Sequence, residues 1–269
     1  MKKINSIVFL LMGVIIVILA VLCVLFATDK ITINNNSTNK NSSNSNETPA
    51  DNKESESYSI SYEEEVYTTK NIDNVENSRS TRNIVSIKNE RNQNAASAIA
   101  SKLNAISNQQ WASIKEAAND TVELSYTGLG VNYLFKTGEV TNNRLTFIAN
   151  LEGNFGGVQW SGIEGYNFDA SNGNLLKLED IGSEAYNYIY NKSIDSIENN
   201  KNDYSCVVED WKDKVKENLN QEGSWYFTST GIKIIFNKYS IACGANGVTT
   251  IDITATDINP YLDAKYKFN

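Results

Sequence analysis

The side chains that could do chemistry here are carboxylates, four tryptophans and three cysteines. They would have to work without imidazole, because none of the 269 residues is histidine. That single absence removes Ser-His-Asp and Cys-His nucleophile pairs, His-ligated zinc and every imidazole base. Carboxylates are plentiful, with Glu63, Glu64 and Glu65 in a row and the neighbours Glu179-Asp180 and Glu209-Asp210. Two positioned acids can hydrolyse a glycosidic bond, but runs of Asp and Glu usually form a solvated face. The stretch Asp169-Ala170-Ser171-Asn172-Gly173 invites a calcium-loop reading. An EF-hand needs glycine at position six and a bidentate Glu at twelve. Here glycine falls at five and Asp180 at twelve, so the segment reads as a hairpin turn. No catalytic residue, metal or cofactor is expected, and the chain is read as a non-enzyme. A histidine-free, carboxylate-based cell-wall hydrolase is the enzymatic alternative, and a purely structural surface protein is the other.

Cys206 and Cys243 lie outside the N-terminal segment. In an oxidising compartment they could pair, or they could be two separate buried thiols. Trp111, Trp160, Trp211 and Trp225 sit on elements that also need core, where large aromatic side chains usually end. Trp160, beside Gly156-Gly157, is the one most open to a partner. The segment Asn237 to Gly247 is longer than a tight hairpin needs, and long loops on a sheet often carry recognition. It offers Tyr239 and Ile241. Either they contact a partner, with the amphipathic tyrosine as the hot spot, or both tuck beneath the sheet.

The elements that would position these residues alternate between two periods. Strand-like pieces surround Val66-Tyr67 and Ile84 to Ile87. Ala95, Ile99, Leu103 and Ile106 recur at helical spacing, and that helix either stops near Asn108 or continues through Trp111 and Ile114. Strands are expected over Val131–Phe135, Arg144–Leu151 and Val158–Phe168, separated by Gly and Asn turns. Tyr186, Ile189, Tyr190 and Ile197 fit one helix face, although Tyr186, Tyr188 and Tyr190 also alternate as in a strand; a helix follows in which Val207, Val208, Trp211, Val215 and Leu219 share a face. Trp225–Thr228, Ile232–Phe236 and Val248–Thr254 read as three antiparallel strands. Helices and strands fall in blocks, so the class is α+β, with helices packed on antiparallel sheets in two consecutive subdomains, 58–178 and 179–269.

Ahead of them lies a different chemistry. Residues 1–6, with Lys2 and Lys3, read as a cytoplasmic stub, and Ile7 to Ala27 is an unbroken apolar run. Twenty-one helical residues at ~1.5 Å each span about 31 Å, the thickness of a bilayer core. A cleaved signal peptide usually has a shorter apolar region, and lipoprotein processing at Cys23 would place Leu22 where a small residue belongs. The reading is one uncleaved transmembrane helix over 7–27, with everything after it outside the cell. Residues 28–57, rich in Asn and Ser, form an expected disordered linker. The net charge of −8 and pI near 4.8 argue against a nucleic-acid partner.

The second half carries a resemblance. Tyr166-Asn167-Phe168-Asp169, Gly173 and Leu176-Lys177-Leu178-Glu179-Asp180-Ile181 resemble a family's strand, "D-x-x-x-G" turn and "L-x-D-L" helix lead-in. Trp225-Tyr226-Phe227-Thr228-Ser229-Thr230-Gly231 and Phe236-Asn237-Lys238-Tyr239-Ser240-Ile241-Ala242, with Gly247, are similar to its "F-Y-hydrophobic-T-x-x-G" and "F-x-P-Y-x-I-A" signatures. The family is the RsiV/PdaC-like extracytoplasmic domain of Gram-positive bacteria, and the similarity spans about residues 80–262. Lys238 and Cys243 stand where proline is common, and Gly156-Gly157-Val158-Gln159 lacks the histidine of the family's turn. The resemblance implies an α+β ectodomain whose partner is a lysozyme-like hydrolase or peptidoglycan, and an acidic surface would favour encounter with a basic lysozyme.

Overall fold

The computed structural model describes residues 58–201 and 206–269. The stub, the apolar run over 7–27 and the linker lie outside the described residues. No helix among the described residues is long and apolar enough to cross a membrane.

The chain opens with a long hairpin, β1 (Ser59–Lys70) and β2 (Glu76–Lys88), antiparallel from Ser59↔Lys88 to Lys70↔Glu76. Helix α1 (Gln93–Asn119) follows. The Asn92 side chain caps it by accepting from Ala95 N at 3.2 Å. Its buried stripe is Ala95, Ala96, Ile99, Leu103, Ser107, Trp111, Ile114 and Ala118. The helix therefore takes the longer of the two expected courses, continuing through Trp111 and Ile114 to Asn119. Asn104 does not break it, because its amide faces outward onto β2 rather than back onto its own turn.

After α1 come β3 (Gly130–Val140), β4 (Arg144–Phe155) and β5 (Val158–Asp169), an antiparallel meander. Gly156 and Gly157, at φ +57° and +86°, make the β4–β5 turn, which needs two positive φ values in sequence. The sheet order is β1-β2-β3-β4-β5, with β2 and β3 parallel through Thr81↔Asn132 and Arg82↔Tyr133. Antiparallel pairing throughout was the expectation, and this pair corrects it. At ~1.5 Å per residue the 27 residues of α1 cover about 40 Å. The helix thus carries the chain back along β2, so that β3 starts at the same end.

The turn after β5 is the predicted one. Asp169 Oδ1 accepts from Ser171 N at 2.8 Å and Gly173 takes φ +77°. A Cβ on Gly173 would come within 2.6 Å of the Ala95 carbonyl, so the turn seats against the first turn of α1. A 3-10 turn (Leu178–Ile181) leads into α2 (Ala185–Asn199), and Asp180 Oδ2 accepts from Lys177 N at 2.8 Å at its start. Helix α3 spans Trp211–Leu219. Val207 and Val208 were expected on its face but lie outside it. Val207 forms a β-bridge with Ala242, and Val208 N donates to the Ile241 carbonyl at 3.1 Å.

The second sheet is β6 (Trp225–Thr228), β7 (Gly231–Phe236) and β8 (Thr249–Thr254), antiparallel in that order. It is followed by the short α4 (Ala255–Ile258) and two 3-10 turns. Two apolar clusters result. One joins α1 to the five-stranded sheet around Trp111, Tyr133, Phe147 and Phe168. The other packs α2 and α3 on the three-stranded sheet around Ile189, Trp211, Ile234 and Phe236.

The clusters meet along β5. A Cβ on Gly165 would lie 2.5 Å from the Trp225 carbonyl and from Tyr226 Cβ, so only glycine lets β6 approach. Beside it, Asn167 accepts from Phe227 N at 2.9 Å and donates to the Trp225 carbonyl at 3.0 Å. This use of an amide as a detached peptide group recurs. Asn83 bonds both backbone groups of Phe135 at 2.7 Å, and Asn104 both groups of Val85 at 2.9 Å. Asn237 takes those of Ile163 at 2.9 Å, and Asn259 those of Phe268 at 2.8 and 3.0 Å. Each fills a ladder position where no strand is available.

A second tie is charged. Arg144, 3% exposed, donates from Nε to Glu139 Oε2 at 2.8 Å and from Nη1 to the Tyr266 carbonyl at 2.7 Å. Its guanidinium lies 4.3 Å from the Phe227 ring centroid and 4.4 Å from that of Phe268. One side chain of the first sheet thus grips the second sheet and the C-terminal segment together.

Candidate functional site

Of the residues expected to meet a partner, Tyr239 is the most open, at 70% exposure. It sits in the segment joining β7 to β8, at φ +70°. For a bulky L-residue that left-handed conformation costs about 1–2 kcal/mol. Its ring leans on Gly244, where an added Cβ would fall within 2.5 Å of the ring carbons, and Lys238 Nζ stands 5.3 Å from its centroid. The loop is held at three points. Asn237 fixes its start to Ile163, and Ser240 N donates to the Asn237 carbonyl at 2.9 Å. A Cys206–Cys243 disulfide, with Cα atoms 5.5 Å apart, pins the far side, reinforced by Cys243 N donating to the Cys206 carbonyl at 3.0 Å. The result is an aromatic side chain that is exposed yet held in place.

Ile241 is a correction. It is 2% exposed, packed in the second core, and only its carbonyl is engaged with Val208. The segment dips inward after Tyr239 because the extended pair Val207↔Ala242 draws it down. No partner touches this side chain without unfolding the loop. Trp160 is half-buried on β5, edge-on to Phe155 at 5.8 Å. Asn237 anchors the Tyr239 loop to Ile163, three residues along the same strand, so Trp160 and the loop share one edge of the first sheet.

Two of the more enclosed carboxylates, Glu65 and Asp169, are each held by hydrogen-bond donors. Glu65 accepts from Arg82 Nε at 2.8 Å and from Trp111 Nε1 at 2.9 Å. Burial works to raise its pKa, but those bonds and the Arg82 and Lys115 charges outweigh it and hold the pKa below the ordinary value. Asp169 behaves alike. Burial opposes ionisation, and hydrogen bonds from Lys265, Ser171 and Tyr266 overcome it. Both stay ionised, the opposite of what a general acid requires.

This has a measurable consequence. The folded pKa of Asp169 is depressed, so its stabilisation is present above the unfolded value of about 3.9 and is lost as pH falls through the folded one. The thermal unfolding midpoint should decline from about pH 5 downward. Asp169→Asn should start lower at neutral pH and show a shallower acid limb. Parallel limbs in the two proteins would remove Asp169 as the cause.

One carboxylate escaped sequence reasoning. Glu164 Oε2 accepts from Tyr133 Oη at 2.6 Å and from Tyr166 Oη at 2.8 Å. Burial pushes both phenols well above their usual pKa, and the Glu164 charge adds to it in both, so they remain donors. Glu164 lies on the same face of β5 as Trp160, since alternate residues point the same way. The usable sequence signal was the pair Gly162 and Gly165 inside a strand, which flanks it.

Comparison with known proteins bears on the second sheet first. Residues 175–256 match the family described as "Protein of unknown function (DUF3298)". A crystal structure of a DUF3298 family member from Bacteroides fragilis NCTC 9343 is similar at TM-score 0.52 and 14% identity. That likeness covers 78% of this chain and 95% of the other, so the shared fold extends from the DUF3298 segment into the first sheet. A DUF3298 family protein from Pseudomonas aeruginosa PAO1 gives TM-score 0.46 at 12% identity, covering 78% of this chain and 96% of its own. No curated protein matches the sequence.

Proposed function

We propose that this chain is a non-catalytic binding module, held in the cell membrane by one N-terminal span with its DUF3298-bearing part outside. Its ligand is a lysozyme-like hydrolase of the envelope, captured through the Tyr239 loop. Peptidoglycan is the second ligand the RsiV/PdaC-like resemblance implies. The observation that carries the reading is Tyr239 itself. It is 70% exposed in a left-handed backbone, on a loop closed by a disulfide. A strained, outward-facing aromatic contributes little to the core, whereas a fixed one loses little entropy on binding. The −8 charge adds attraction toward a basic partner.

The test is Tyr239→Ala. Capture of a lysozyme by the folded protein should weaken at least tenfold, the scale of an interface hot spot, while the thermal unfolding midpoint stays near that of the unchanged chain. Undiminished capture would end the reading, as would a wild-type chain that captures no lysozyme.

A further inference from the structure

Glycine inside a strand needs a reason, because it weakens the strand and leaves nothing to pack. Nearly every strand glycine here has one. Added Cβ atoms would meet the Arg79 carbonyl at 1.8 Å on Gly130, the Gly130 carbonyl at 2.1 Å on Gly153 and the Ile253 carbonyl at 2.0 Å on Gly231. Gly138 lies at the register shift between β3 and β4, and Gly165 receives β6. Gly162 has no such neighbour. It pairs with Leu151 in unbroken register, its φ is not left-handed, and a Cβ would meet nothing closer than Asn237 Oδ1 at 3.4 Å and Leu151 Cβ at 3.8 Å. Backbone approach, bulge and positive φ are all absent, so the open step beside the Asn237 amide is itself the feature to explain.

The flanks of this gap say what would fit it. Trp160, Gly162 and Glu164 share one face of β5. Four residues at ~3.3 Å rise place Trp160 and Glu164 about 13 Å apart, with a side-chain-free step between them. The Gly162 backbone forms the floor, with Leu151 on the neighbouring strand at one side and the Asn237 amide at another. Both tyrosine hydroxyls use Oε2 of Glu164, which fixes the carboxylate, and its Oε1 takes no hydrogen bond among the described residues. A purely apolar occupant would strip water from that carboxylate without replacing its bonds, at a large cost. A ring with one apolar face and a rim of hydroxyl donors satisfies both ends.

We propose that the gap over Gly162 is a glycan-binding slot, in which a pyranose ring rests against Trp160 and Leu151 and donates hydroxyl hydrogen bonds to Glu164. The slot is separate from Tyr239 and does not depend on the lysozyme reading.

Titration calorimetry of the full-length chain with chitotetraose and cellotetraose tests it. Saturable binding of either supports the slot, and a preference for chitotetraose adds an acetamido contact. Trp111, Trp211 and Trp225 are 2–4% exposed, so an accompanying fluorescence change reports Trp160. Gly162→Val, which fills the gap, should weaken binding at least tenfold. Gly162→Ala, whose Cβ meets only ordinary contacts, should weaken it severalfold and serves if the valine variant does not fold. Glu164→Gln keeps an acceptor for both tyrosines yet should also bind weakly, whereas Tyr239→Ala should bind normally. The slot is overturned if neither glycan binds saturably, or if Gly162→Val and Gly162→Ala bind as well as the native chain. It is equally overturned if Gly162→Val impairs lysozyme capture in a chain with no glycan affinity, which would make the gap a seat for a protein side chain.

Discussion

Arg144→Met should destabilise the protein by about 3–5 kcal/mol, the usual result of removing one partner from a buried ion pair. Methionine keeps roughly the length and the apolar contact with Phe227 and Phe268. It removes the donor to the Tyr266 carbonyl and leaves Glu139, whose side chain is 17% exposed, without its cation. Lysine should recover only part of the loss. Its ammonium can face Glu139 but cannot reach the Tyr266 carbonyl in the same fork or lie flat between two rings. Because Arg144 holds the C-terminal segment, residues 259–269 should become sensitive to protease before the rest of the chain does. Urea unfolding of the three proteins decides the matter. A cost below about 1 kcal/mol for methionine would mean that the two sheets hold together without this clamp.

Opening the Cys206–Cys243 disulfide should come next in size. It closes a loop of 37 residues, and the chain-entropy relation gives about 4 kcal/mol for a loop of that length. The bond also holds the far side of the Tyr239 loop, so loss should appear twice, in stability and in ligand capture. A Cys206→Ser, Cys243→Ser double variant avoids exposing the chain to reductant. Its unfolding free energy should fall by that amount, and its capture of lysozyme should weaken while the folded fraction remains intact. Two alkylatable thiols in native material would show that the bond is not formed, and an unchanged unfolding free energy would show that it carries no stability.

The sequence was most readable where one period or one turn governed an element. The stripe from Ala95 to Leu103, the Gly156-Gly157 hairpin and the three strands from Trp225 to Thr254 all follow from local rules. It was least readable where a residue's local habit was overruled by a distant partner. Asn104 and Asn108 read as helix weakeners, yet Asn104 pairs with Val85 and Asn108 Oδ1 accepts from Arg82 Nη1 at 2.6 Å. Val207 fits the face of α3 but belongs to a bridge with Ala242, a residue 35 positions away. The parallel β2–β3 pair depends on where a 27-residue helix delivers the chain, which no window on either strand contains. In the site, Tyr239 and Ile241 looked equivalent, two residues apart in one loop. Only the tertiary path sends one outward and the other into the core. Glu164 was invisible because a lone acid in a strand has no pattern, and its two phenolic partners come from β3 and from its own strand.

The asparagines that stand in for peptide groups give this protein a particular way of ageing. Hydrolysis of a side-chain amide to a carboxylate removes the donor and leaves a negative oxygen facing a backbone carbonyl. At Asn83, Asn104, Asn167, Asn237 or Asn259 that one chemical event would exchange a matched pair of bonds for a bond and a repulsion. The next residue's nitrogen must attack the side chain for the reaction to run easily, and an exposed Asn-Gly sequence allows this best. Asn172-Gly173 and Asn246-Gly247 have that form, and neither asparagine is one of those five. The five structural asparagines are followed by Ile84, Ala105, Phe168, Lys238 and Pro260, and the proline after Asn259 has no backbone N–H with which to attack. The fold thus places its most damaging amides where their decay is chemically slow.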